Sequence, residues 1–255
     1  GADVIKWQTF LIGQGFDPGS VDGDFGPATL RATLEFQEKY GLAVDGVVGN
    51  RTIGQAQVLG LDVIPDTSSG EKESANWPPR PTGLTPLMNN HERAAVFGRF
   101  SYVHDPKPDN PENVKITDGW ERENIVTVML PQLKGIRGAN SKQTVRCHRL
   151  VAAQLQSLWA AWEGAGLLSL VRSWDGMFVP RFVRGSRTTL SNHAFGSAFD
   201  INAAWNPLGT RPALVGRPGS VRELVPIANE HGFFWGGHYA GRPDGMHFEV
   251  ARLLG

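Results

Sequence analysis

Cysteine is almost absent. Cys147 is the one copy in 255 residues, so no disulfide can close within the chain and no multi-thiolate zinc site can form. Any metal must be held by His, Asp or Glu. Long apolar runs are missing too: no stretch approaches the ~20 apolar residues that span a bilayer, and membrane insertion is not expected. Residues 1–6 lack the charged-then-apolar pattern of a signal peptide. An excess of either charge is also missing, with 25 basic against 25 acidic residues. Partners such as nucleic acid or an anionic membrane usually demand a basic surplus, so neither is expected. The HExxH pair of helical zinc peptidases does not occur.

What is present suits two soluble domains. Some 40% of the chain is hydrophobic and eight residues are Trp, enough for more than one core at this length. An internal repeat opens the chain. Residues 21–29, VDGDFGPAT, are echoed by residues 44–52, VDGVVGNRT. Each copy reads as an Asp-Gly turn leading into a helix, with Pro27 suited to a first helical position. The spacing of Val4, Trp7 and Leu11 predicts an amphipathic helix before the first turn. Helices are also expected over 28–40, stopping at Gly41, and over 52–58. The unit is a helical domain of about 60 residues. Residues 62–86 then turn polar and proline-rich, with Pro65, Pro78, Pro79, Pro81 and Pro86, and read as a linker with few contacts to either side.

From residue 87 a mixed domain is expected. A helix is predicted over 145–162, with Cys147, Leu150, Leu155, Leu158, Trp159 and Trp162 on one buried face, and a second from Ser220 to Gly232, opened by a capping box. Strand-like segments are 125–130, 177–179, 197–201 and 246–250. Residues 106–111 read as an exposed loop. His91, His104, His148 and His231 have no ligand-like context.

Chemistry concentrates in residues 191–202, SNHAFGSAFDIN, and 244–249, DGMHFE. The small residues Gly196, Ser197 and Ala198 between His193 and Asp200 allow a tight turn that brings both side chains to one point. His247, on a strand near the C-terminus, is placed to add a third ligand. Two imidazoles and one carboxylate, with a fourth position open for water, form a catalytic rather than a structural zinc site. Asp200 is alternatively the hydrogen-bond partner of a ligating histidine.

These two motifs resemble those of the zinc peptidase superfamily that contains D-alanyl-D-alanine carboxypeptidases and L-alanyl-D-glutamate endopeptidases, including phage endolysins, and that shares the hedgehog fold. The repeat, with residues 25–29 and 35–37, resembles the peptidoglycan-binding domain found at the ends of wall hydrolases. Together they imply a peptidoglycan-binding domain at 1–61, a linker at 62–86 and a zinc peptidase domain at 87–255. The expected fold is α+β: three small helices, then a central antiparallel sheet flanked by helices. The resemblance implies one catalytic Zn2+ on His193, Asp200 and His247, Asp244 as general base and Arg181 steadying the scissile carbonyl. Arg184 and Arg187 compete for that last role, and Glu249, on the face of His247, is the rival base. Asp244 is alternatively a turn residue. Trp235 and Tyr239 line the cleft or fill the core. The implied activity is endopeptidase cleavage of peptidoglycan stem peptides at the L-Ala–D-Glu bond, with D-Ala-D-Ala carboxypeptidase as the alternative. The protein is expected to be a monomer acting on the wall side of the membrane, held in the cytoplasm until a holin-like route releases it.

Overall fold

A computed structural model describes residues 2–59, 61 and 76–254. Residues 62–75, the first part of the expected linker, lie outside the described residues.

The N-terminal module is three helices: α1 (Ala2–Gly13), α2 (Pro27–Lys39) and α3 (Asn50–Val58). Pro27 starts α2, where its missing N–H costs nothing. Trp7, Phe10, Leu11, Ala32, Phe36 and Ala56 form a core of their own. Both Asp-Gly turns carry glycine at positive φ, Gly23 at 80° and Gly46 at 70°. Each is pinned by a buried glutamine. Gln8 donates to the Asp22 carboxylate, the Asp24 carbonyl and the Thr29 hydroxyl, and accepts from the Gly23 N–H. Gln37 repeats the pattern with Asp45, the Val47 carbonyl and Thr52, and accepts from the N–H groups of Asp45 and Gly46.

The second unit begins with α4 (Asn90–Phe97), capped by Asn89. The hairpin β1 (Tyr102–His104) and β2 (Val114–Ile116) follows, then α5 (Trp120–Asn124) and the hairpin β3 (Ile125–Met129) and β4 (Thr144–His148). Next come α6 (Ala152–Gly164) and β5 (Trp174–Gly176). The chain finishes with β6 (Ala198–Ile201), α7 (Val225–Glu230), β7 (Phe233–Trp235) and β8 (His247–Val250). The main sheet is antiparallel in the order β5-β6-β8-β7. One face packs on α6: Phe199 and Phe248 stack at 5.4 Å, and Trp162 meets both. The fold is α+β with antiparallel sheets, as expected.

Several local expectations change. The helix predicted from 145 starts at Ala152, because residues 144–148 are the partner strand of β3, and Cys147 is buried there. Its Val-x-Cys alternation fits a strand as well as the helix period, and pairing with β3 decides. The strand expected at 177–179 lies instead at 174–176. The helix from Ser220 is a 3-10 turn at Arg222–Leu224 running into α7, and the Ser220 hydroxyl bonds the Glu223 carboxylate.

Residues 76–80, inside the stretch read as a contact-poor linker, lie against the sheet domain. The Trp77 ring stands 5.5 Å from Trp235 and beneath the Arg222 guanidinium at 4.5 Å. The Pro78 carbonyl accepts from His238 Nε2 at 2.8 Å, and Arg80 donates to the His238 carbonyl at 3.0 Å. Proline count hid this, since two prolines directly follow a tryptophan that has a buried partner.

Candidate active site

Antiparallel pairing builds the site. Asp200 on β6 sits opposite His247 on β8, and directly opposed residues of such a pair carry adjacent side chains. The alternation that sends Phe199 and Phe248 into the core sends Asp200, His247 and Glu249 to the other face. His193 comes from the 3-10 turn Asn192–Phe195, which Ser191 caps by accepting from the His193 N–H. Gly196 ends that turn at φ +64°, where a Cβ would stand 2.7 Å from the His148 nitrogen. Only glycine fits there. The chain can then enter β6 within two residues, which brings His193 over Asp200.

The three side chains converge. His193 Nε2 is 3.1 Å from His247 Nδ1 and 3.2 Å from Asp200 Oδ1, and His247 Nδ1 is 2.9 Å from Asp200 Oδ1. Three ligands of tetrahedral zinc, each ~2.0–2.1 Å from the ion, stand about 3.3 Å apart. The observed triangle matches that spacing, and its N, N, O donor set is zinc chemistry. His193 Nδ1 donates to the Met177 carbonyl at 2.8 Å, which fixes its tautomer and turns the Nε2 lone pair inward. Among the described residues this is the one His/Cys/Asp/Glu cluster with metal-binding geometry.

Electrostatics hold the trio together. Against the opposing effect of burial, His193 and His247 keep the Asp200 carboxyl far below the usual carboxylate range. Burial also opposes charging His247, yet Asp200, with Asp244 and Glu249 behind it, pushes His247 up to about 9. A proton held there in the free protein is one that a metal would displace.

Asp244 lies in the turn before β8. Its N–H donates to the Gly236 carbonyl at 2.9 Å and its carbonyl accepts from the His247 N–H at 3.2 Å. Its Oδ1 is buried with no hydrogen-bond partner. Burial pushes the carboxyl up to about 6, with Asp200 adding to the rise and His247, Arg181 and Arg242 opposing it. Buried polar atoms are nearly always paired. Asp244 Oδ1 is an exception.

Arg181 is at the site. It is half-buried, and that desolvation pulls its pKa down, while the charges of Asp200 and Asp244 act the other way. Arg184 is exposed and tied to Glu112 at 2.6 Å, and Arg187 is exposed. The Asp200 and Asp244 carboxylates both act on the Arg181 charge. Glu249 is committed elsewhere. It accepts from the Asn192 amide and the Tyr239 hydroxyl, and Arg93 reaches the same group by donating to Asn192 Oδ1 at 2.7 Å. Trp235 is wholly buried, so it belongs to the core, and its Nε1 donates to the Gly245 carbonyl. Tyr239 is half-buried and bound to Glu249. Arg93 and Asn192 were missed by sequence reasoning. Nothing around residue 93 signals a buried arginine, whereas Asn192 stands inside the first motif and was there to be weighed.

Comparison with known proteins adds two matched segments. Residues 184–250 match a family model described as D-alanyl-D-alanine carboxypeptidase, and residues 1–55 match a peptidoglycan binding domain. A spore cortex-lytic enzyme of Bacillus cereus is 52% identical over 125 residues, 49% of this chain and 40% of the relative. An N-acetylmuramoyl-L-alanine amidase of Mycobacterium tuberculosis is 45% identical over 53 residues, 21% of this chain and 13% of the relative. A zinc D-Ala-D-Ala carboxypeptidase of Streptomyces albus G is 48% identical over 40 residues, 16% of each. The chain thus spans less than half the length of these curated relatives. No solved structure matches it. The two matched segments lie in different parts of the chain, one over the N-terminal helical module and the other over the stretch that holds all three corners of the His-Asp-His triangle.

Proposed function

We propose that the chain is a zinc endopeptidase that cuts the stem peptide of peptidoglycan at the L-Ala–D-Glu bond. The observation that carries the peptidase reading is the triangle of His193, Asp200 and His247 with the orphan Asp244 carboxylate beside it. His193 Nε2, Asp200 Oδ1 and His247 Nδ1 would hold the metal. Bound there, zinc supplies Lewis acidity toward a carbonyl oxygen and toward water. Asp244 takes the proton of the attacking water and returns it to the leaving amine. Its partnerless Oδ1 supports that role, and burial keeps its proton affinity nearer neutrality than an exposed carboxylate's. Arg181 offers a half-buried positive charge to the oxyanion that develops on the scissile carbonyl. Glu249, bound to Asn192 and Tyr239, braces the strand that carries His247.

An N-terminal module matching a wall-binding domain favours action on intact polymer, which is endopeptidase work. A second reading, D-Ala-D-Ala carboxypeptidase, is favoured by the description of the matched family and by the Streptomyces relative. The same residues serve both. Mass spectrometry of digested peptidoglycan separates them. Glycan stripped of peptide, with new D-glutamate amino termini, is expected; release of free D-alanine alone would transfer the assignment to the carboxypeptidase.

A further inference from the structure

The turn carrying Asp244 is clamped from two sides, and both clamps lead back to residues 76–80. On one side the Gly236 carbonyl accepts from the Asp244 N–H, and Trp235 Nε1 donates to the Gly245 carbonyl at 2.9 Å. The fit is close: a Cβ on Gly236 would stand 2.6 Å from the Asp244 carbonyl oxygen and 3.0 Å from the Asp244 Cβ. Trp235 packs on Trp77, and His238, two residues past Gly236, is bound to the Pro78 carbonyl. On the other side Gly245 abuts Pro212, where a Cβ on the glycine would meet the proline ring at 2.8 Å. The Pro212 carbonyl is held at 2.6 Å by Arg222, whose guanidinium lies over Trp77 and also donates to the Asn76 carbonyl. Asn76 Oδ1 accepts from the Val215 N–H at 2.9 Å, which fixes the start of the segment. Trp77 is therefore the common support of Trp235 and of Arg222.

We propose that residues 76–80 are a strap belonging to the catalytic unit, and that Trp77 is a positioning residue that sets the Asp244 carboxylate against the ligand triangle. The proposal rests on Asp244 being the base. A displacement of about 1 Å in such a group can cost up to ~10²-fold in rate, so cover on both clamps matters to turnover.

The test uses full-length Trp77→Ala, Trp77→Phe, Asp244→Ala and the double variant Trp77→Ala/Asp244→Ala, assayed on a soluble stem peptide with zinc content measured. Trp77→Ala is expected to keep one zinc and a KM within about twofold, while kcat per bound zinc falls about tenfold; Trp77→Phe should recover most of it. The double variant should be no slower than Asp244→Ala, because groups acting as a unit are non-additive. A purely structural role would lower zinc content and folded fraction and leave kcat per zinc unchanged. An unchanged kcat per zinc in Trp77→Ala, or a further loss in the double variant, overturns the strap. Near-normal turnover in Asp244→Ala would instead overturn the base assignment. If Trp77→Ala does not fold, Arg80→Ala takes its place. A loss of about threefold in kcat per zinc is then expected, and no loss overturns the proposal.

Discussion

Two side chains divide the labour of the site in a way that separates their loss. His247 is a corner of the triangle, so His247→Ala should lose both zinc and turnover. Asp244 is not a corner. Asp244→Ala should keep zinc stoichiometric and lower turnover at least ~10²-fold, the usual scale for a general base. Its effect on stability should be neutral or favourable, because one oxygen of the carboxylate it removes, Oδ1, is buried without a hydrogen bond. Zinc content, thermal midpoint and peptide hydrolysis on both variants check all three outcomes. If turnover in Asp244→Ala stays near normal, Glu249→Gln is the next variant to make. At this scale the sequence was informative. Both motifs carry small residues where the backbone must turn and ligands where it must converge, and the triangle closed on the three residues that they single out. Arg93 was invisible, because its burial depends on a partner 99 positions away in the chain.

Elements were read less evenly, and β4 shows why. Residues 144–148 show an alternation that both periods tolerate, and only the pairing with β3, which no local pattern announces, makes them a strand. His148, passed over as lacking context, closes that strand as a buried group. Its Nε2 donates to the Phe97 carbonyl at 3.2 Å and its Nδ1 accepts from the Leu150 N–H, which defines a neutral ring. Burial pushes its pKa down to about 4, whereas the unfolded chain takes up that proton near the model-peptide value of ~6.5. Between those values the unfolded state binds more protons, so stability is full above pH ~6.5 and is lost as pH falls toward 4, by on the order of 3 kcal/mol. Urea unfolding from pH 7 to 4 should show that slope, and His148→Gln should flatten it; equal slopes would remove His148 as the cause. The turn before β6 gives a second check. Gly196→Ala combines a positive φ with a contact of 2.7 Å to backbone, so it should destabilise by more than ~1 kcal/mol. It should also weaken zinc affinity, since it displaces His193.

For the whole molecule, the composition was a good guide to two units and a poor guide to where the second begins. A proline-rich stretch looks like a tether throughout, but Trp77 and Pro78 have buried partners across the chain. A fragment starting at residue 76 should therefore cleave soluble stem peptide nearly as the full chain does, while one starting at 87 should be slower. Both should digest intact sacculi less well than the full chain, through loss of the effective concentration that a tethered binding module supplies. If residues 76–255 alone clear sacculi as fast as the full chain, the targeting role of the first module is wrong.

The glutamine pins of that module have a consequence for its size. Helix α2 supplies Thr29 to the first pin and Gln37 to the second, so it is the closing piece of one repeat and the opening piece of the next. The module is two repeats sharing a member, and it cannot be halved: removing either turn strips a buried amide of all its partners but one threonine hydroxyl.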